Sequence, residues 1–159
     1  MKENKLLLQP GPTPVDSRIL EVLAKPVVSH LSPEMEEALR GAVENMKKIV
    51  MTREGLPFIL AGAGTLAMEM ALLNVTAESD RLLIISHGFF GQRMAELAEA
   101  FDLRYRLLQS PWGKVVMADE LKNELKRHKY DVVVCTHVDT STGGCAPVEL
   151  YSEIIKREV

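Results

Sequence analysis

Phe58-Ile-Leu-Ala-Gly-Ala-Gly-Thr-Leu-Ala-Met-Glu-Met-Ala-Leu-Leu73 is an apolar run that stops at small residues and passes at once into a helical pattern. It predicts a strand over Phe58–Ala61, a tight turn, and a helix over Thr65–Val75. Gly62, Ala63 and Gly64 lack bulk, so a ligand can approach the backbone closely. The first N–H groups of a helix have no internal partner and carry about half a positive charge, so the group that suits this turn is an anion such as phosphate, with the Thr65 hydroxyl as a further partner. The spacing is neither G-x-G-x-x-G nor G-x-x-x-x-G-K-[ST]: Met68 stands where a dinucleotide fold needs its third small residue, and no Lys follows. A parallel α/β unit also uses Gly simply to pack a helix on a strand, and that reading stays open for the turn alone.

Outward from this stretch the pattern alternates. Strands are expected at Arg81–Ser86, Leu103–Leu108 and Asp131–Val138, and helices at Phe90–Phe101, Ala118–Lys129 and near Val148–Arg157. Leu82-Leu83-Ile84-Ile85 and Val132-Val133-Val134-Cys135 are apolar on both faces, as strands covered by helices on each side must be. The expected fold is therefore α/β, a three-layer sandwich around a mainly parallel sheet. Upstream, Pro10-Gly11-Pro12-Thr13-Pro14 is non-helical, because each Pro fixes its own φ and restricts its predecessor. Val15–Ala24 then has helical spacing up to Pro26. Ser32-Pro33-Glu34-Met35-Glu36 reads as an N-cap, a proline at the first helical position and an acidic first turn, opening a helix that runs to about Val50.

The chain has 159 residues, one domain's worth, and a net charge of −3. Its cations are interspersed with Glu, which argues against a nucleic-acid surface. Its two cysteines, Cys135 and Cys145, form neither a C-x-x-C pair nor a metal-ligand spacing with His, as reduced thiols would not. The N-terminal apolar run is too short for a signal peptide, and no stretch approaches a membrane span. The expectation is a soluble, cytoplasmic protein.

In a parallel sheet, ligands bind outside the carboxyl ends of the strands. Three segments there carry chemistry. One is the turn Ala63-Gly64-Thr65. Another, Ser86-His87-Gly88-Phe89-Phe90-Gly91-Gln92, sets two aromatics at a helix start, where a ring can stack on a flat cofactor or simply cap the core. The third, His137-Val138-Asp139-Thr140-Ser141-Thr142-Gly143-Gly144, offers hydroxyls at the same edge or is a connection of turn formers. His137 reads more readily as a structural histidine than as a base.

Taken together, these motifs resemble the class V, fold type I pyridoxal-phosphate enzymes, in the alanine–glyoxylate or serine–pyruvate aminotransferase branch. The resemblance runs almost end to end, through Pro10–Val15, Ser29–Met35, Gly62–Glu69, Gly88–Arg93, Trp112-Gly113 and His137–Gly143. It implies the large domain of an aspartate aminotransferase-like fold. The turn at Ala63, Gly64 and Thr65 is then expected to grip the phosphate of pyridoxal 5'-phosphate, Phe90 to stack on the pyridine ring, and the Thr140 hydroxyl to sit near the phenolic oxygen. Gly11 is expected to approach the substrate carboxylate through its backbone. The chain departs from the pattern at Ala63, where relatives commonly have Ser, at Phe90, where many have Trp, and at Leu31, where many have Arg.

The resemblance also implies a Lys that bonds to the cofactor and an Asp on the pyridine nitrogen, both beyond the third segment. Lys114, Lys122, Lys126 and Lys129 fall in or beside a helical surface pattern and are poor candidates. The expected division is residues 1–30 as arm and first helix and 31–159 as the first part of the large domain, with the rest of that domain and a small C-terminal domain absent. The expected activity is transfer of an amino group from a small amino acid to a small 2-oxo acid by a homodimer. A same-fold lyase or cysteine desulfurase, and a non-catalytic module for a phosphate-bearing ligand, are the alternatives.

Overall fold

The computed structural model describes residues 6–158. The chain divides into two compact units, Met1–Ala61 and Gly62–Val159.

Within the first unit, helix α1 spans Ser17–Leu23, with the Asp16 carboxylate accepting the Arg18 N–H at its start. Helix α2 spans Pro33–Ile49. Ser32 caps it by accepting the Met35 N–H at 3.3 Å, Pro33 fills the first helical position, and Glu34 and Glu36 stand in the first turn with Lys47 and Lys48 in the last. Each of these choices favours the helix electrostatically or through its unpaired ends, which is why the sequence pattern located it. The expected strand at Phe58–Ala61 does not form: these residues are in irregular backbone, with Phe58 78% exposed. An apolar run supplies strand propensity, but a strand exists only through hydrogen bonds to a neighbour, and the ladders among the described residues do not include this segment.

The second unit opens with helix α3, Gly64–Val75, followed by strand β1, Arg81–Ser86, and helix α4, Phe89–Ala100. Strand β2, Arg104–Gln109, helix α5, Ala118–Arg127, and strand β3, Val132–Cys135, continue the alternation. Two short strands, β4 at Val138–Asp139 and β5 at Gly144–Cys145, pair antiparallel before helix α6, Val148–Glu158. The sheet is parallel in the order β2-β1-β3, with Leu82 opposite both Tyr105 and Val132, and Ile85 opposite Leu108 and Cys135.

Central β1 feeds two cores. Leu82 and Ile84 pack with Leu72 of α3 and Ala95 and Ala98 of α4. Leu83 and Ile85 project the other way, onto Leu121 and Leu125 of α5 and Tyr151 of α6. All four strand side chains are fully buried, each contributing about 2 kcal/mol from area alone. This is the three-layer arrangement read from the two-sided apolar strands. The third strand is shorter than its apolar run predicts: it leaves the sheet after Cys135, and Val138-Asp139 turns instead to pair with Gly144-Cys145.

Candidate cofactor site

Both segments that follow the carboxyl ends of β1 and β3 are tied together by one side chain. Asp139 is fully buried. Its Oδ2 accepts the Phe90 N–H at 2.9 Å and the Gly91 N–H at 3.2 Å, so it caps α4 from a distance in sequence. Its Oδ1 accepts the Ser141 N–H at 3.1 Å and the Ser141 hydroxyl at 2.6 Å. Ser141 Oγ in turn accepts the Phe89 N–H at 2.9 Å, and the Thr142 hydroxyl donates to the His87 carbonyl at 3.0 Å. Burial works to raise the Asp139 pKa, but the Ser141 hydroxyl and the main-chain N–H groups of Gly91, Ser141 and Phe90 outweigh it and hold the carboxyl below its ordinary range.

Two glycines make this approach possible. A Cβ on Gly88 would stand 2.5 Å from Asp139 Cγ, and one on Gly91 would stand 2.6 Å from Ser86 Cα. Phe89 and Phe90 are 53% and 37% exposed, with rings 5.4 Å apart in an edge-to-face pair. Neither ring caps the core, so a ring face is available at this edge. Thr140, next to Asp139, is exposed. The network thus draws the Phe90 and Thr140 segments together.

The other expected residues lie at the start of α3. Ala63 is its N-cap, with extended backbone and no side-chain cap bond. The Leu66 and Ala67 N–H groups turn back to the Ala63 carbonyl, and helix geometry leaves those of Gly64 and Thr65 pointing outward. Ala63, Gly64 and Thr65 are exposed, and the Cβ position of Gly64 meets no atom within 4 Å. The contrast with α4 is chemical: α4 carries its own carboxylate on its first turn, whereas α3 carries none. Gly11 belongs to the first unit, where it is exposed and precedes Pro12 through a cis peptide.

His137 is exposed, and its carbonyl accepts the Ala146 N–H at 2.7 Å. His87 is fully buried, with neither ring nitrogen bonded. Lys114, Lys122, Lys126 and Lys129 are exposed, as a helical surface pattern requires. Among the described residues no group of three His, Cys, Asp or Glu side chains can hold a metal, and no helix is long and apolar enough to cross a membrane. Sequence reasoning missed the role of Asp139. The available signal was an Asp followed by Ser and Thr in a turn, a pattern whose local hydrogen bonding is familiar, but the helix it caps is elsewhere in the chain.

No family model matches the chain. It is 35% identical over 155 residues to an uncharacterized aminotransferase of Methanocaldococcus jannaschii, covering 96% of this chain and 40% of that protein. It is 31% identical over 159 residues to the small subunit of a soluble hydrogenase of Synechococcus sp., covering 98% of this chain and 41% of that one. Alanine–glyoxylate aminotransferase of Rattus norvegicus is 30% identical over 154 residues, 96% of this chain and 37% of the rat protein. The crystal structure of an alanine–glyoxylate aminotransferase from Nostoc sp. superposes with a TM-score of 0.85 at 29% identity, over 96% of this chain and 41% of that one. The fold is accordingly part of the large domain of the pyridoxal-phosphate-dependent aminotransferases. Its homologues are alanine–glyoxylate and related aminotransferases, and the chain spans about two-fifths of the length of the curated relatives it matches.

Proposed function

We propose that this chain forms the part of an aminotransferase that holds the phosphate and ring of pyridoxal 5'-phosphate. The whole enzyme passes an amino group from a small alanine- or serine-like amino acid to a small 2-oxo acid such as glyoxylate or pyruvate. The observation that carries the reading is the contrast between two helix starts on one unit: α4 is filled by the Asp139 carboxylate, while α3 presents uncapped N–H groups and an exposed Thr65 hydroxyl. An anion therefore has one of the two to occupy.

In this reading the Gly64 and Thr65 N–H groups and the Thr65 hydroxyl take the phosphate, with the Ala63 backbone N–H replacing the hydroxyl that a Ser would add. Phe90 lays a ring face on the pyridine, fixed in place because its own N–H is held by Asp139. The Thr140 hydroxyl, on the other side of the same network, hydrogen-bonds the phenolic oxygen. Gly11 meets the substrate carboxylate through its backbone N–H. Bound pyridoxal phosphate supplies an electron-withdrawing ring that stabilises negative charge on the substrate's α-carbon, and the Lys that bonds to it lies outside this chain. A cytoplasmic homodimer is part of the proposal.

The test is equilibrium dialysis of the complete gene product against pyridoxal phosphate, with alanine-to-glyoxylate transfer followed as pyruvate formed. Thr65→Ala is expected to weaken cofactor binding about tenfold, the worth of one hydrogen bond to a charged group. Unchanged affinity in both Thr65→Ala and Phe90→Ala, or no cofactor-dependent transfer in the wild type, overturns the reading.

A further inference from the structure

Three arginines gather at the opposite end of the sheet, where β1 and β2 begin. Arg81 begins β1 and Arg104 begins β2, and the two are direct partners in the parallel register. Register partners in a parallel pair project to the same face about 4.8 Å apart, so two guanidinium stems rise side by side. Arg106, two residues along β2, projects to that face as well. Like charges placed opposite one another on neighbouring strands repel.

One carboxylate within this group is already engaged. Glu124, buried on α5, accepts Arg106 Nε at 2.6 Å and the Tyr130 hydroxyl, with His128 Nε2 4.0 Å away. Asp131 accepts the main-chain N–H of Arg81 at 2.9 Å. Among the described residues no carboxylate oxygen comes within 4.0 Å of the Arg81 or Arg104 guanidinium. The three arginines, His128 and Tyr130 line a cleft of about 360 Å³. Three arginines thus share one cleft, and of these Arg106 alone has a carboxylate oxygen within 4.0 Å among the described residues.

We propose that this cleft binds a small anion carrying two adjacent phosphate groups, either inorganic diphosphate or the diphosphate of a nucleotide. Guanidinium forks engage phosphate oxygens in pairs, and neighbouring arginines match neighbouring phosphates. The volume lies in the lower range of small-molecule pockets, about 300–1,000 Å³. The cleft is at the amino ends of β1 and β2, whereas Phe90 and Thr140 follow carboxyl ends, so a diphosphate here does not compete for the proposed cofactor position. It stands independently of the aminotransferase reading.

Isothermal titration of the complete gene product, held at saturating pyridoxal phosphate so that the start of α3 is filled, with sodium pyrophosphate, ADP and AMP at low salt tests it. The expected result is one pyrophosphate per chain, weakened at least tenfold by Arg81→Gln with Arg104→Gln and unaltered by Thr65→Ala. Arg104→Lys, which keeps the charge and loses the fork, is expected to fall between. ADP matching pyrophosphate would identify the diphosphate itself as the ligand, and tighter ADP binding would identify a nucleotide; AMP is expected to bind more weakly than either. Charged residues on an edge strand also prevent edge-to-edge pairing. No pyrophosphate binding by the wild-type chain, undiminished binding by a folded Arg81→Gln/Arg104→Gln variant, or loss of binding in Thr65→Ala alone overturns the proposal.

Discussion

Replacing Asp139 by Ala removes the acceptor from four hydrogen bonds at once: those of the Phe90, Gly91 and Ser141 N–H groups and the Ser141 hydroxyl. A hydrogen bond to a charged group contributes about 1.5–3 kcal/mol, and an N-cap about 1 kcal/mol. These bonds share one carboxylate, so their energies do not add, and a loss of about 3–5 kcal/mol is expected, in the range for stripping a buried charge from its partners. Asp139→Asn keeps the shape and one acceptor but loses the charge at the helix start, costing about 2 kcal/mol. Urea unfolding followed by far-UV circular dichroism, which reads the loss of the helices, measures the effect. The pH dependence has a definite sign. The Asp139 carboxyl is held below its ordinary range in the fold, so its contribution is present above the unfolded value of about 3.9 and is lost as pH falls through the folded one. The stability gap between wild type and Asp139→Asn should therefore be constant from pH 7 to 5 and shrink below about pH 4. An Asp139→Ala variant within about 0.5 kcal/mol of wild type, the spread of an ordinary surface substitution, would refute the account of the network.

Gly88→Ala should destabilise the second unit by about 1–3 kcal/mol, since its Cβ would press on the Asp139 carboxylate at 2.5 Å, and the same urea titration measures it. In the Asp139→Ala background, where the carboxylate is gone, Gly88→Ala should add little further cost, and a double-mutant cycle reads that coupling. The two thiols should separate kinetically with a disulfide reagent at pH 8. Cys145 is exposed, whereas burial pushes the Cys135 thiol up to about 11, so mass spectrometry should find Cys145 modified first and Cys135 only as the chain unfolds.

Local rules made much of this molecule legible. Ser32-Pro33-Glu34 located the start of α2 because all the groups that end a helix properly are contiguous there. Leu82–Ile85 disclosed a two-sided core because its side chains alternate between two helical layers that both exclude water. Phe58–Ala61 misled, since its composition is that of a strand but ladder partners are not a property of the segment itself. Asp139 was hidden for a related reason. Capping rules look immediately ahead of a helix, where α4 has Gly88, and the residue that serves α4 follows a different strand. The exposed turn at Ala63-Gly64-Thr65 was readable from its small residues, and the resemblance to a family then assigned it a ligand.

The reach of the Asp139 cap also orders events during synthesis. Forty-nine positions separate Phe90 from the carboxylate that accepts its N–H. A ribosome has long since released α4 when that acceptor emerges, so the aromatic edge cannot set until the third strand has been delivered and its loop folds back. A chain cut anywhere between Ala100 and Asp139 contains all the residues of α4 and forfeits the latch.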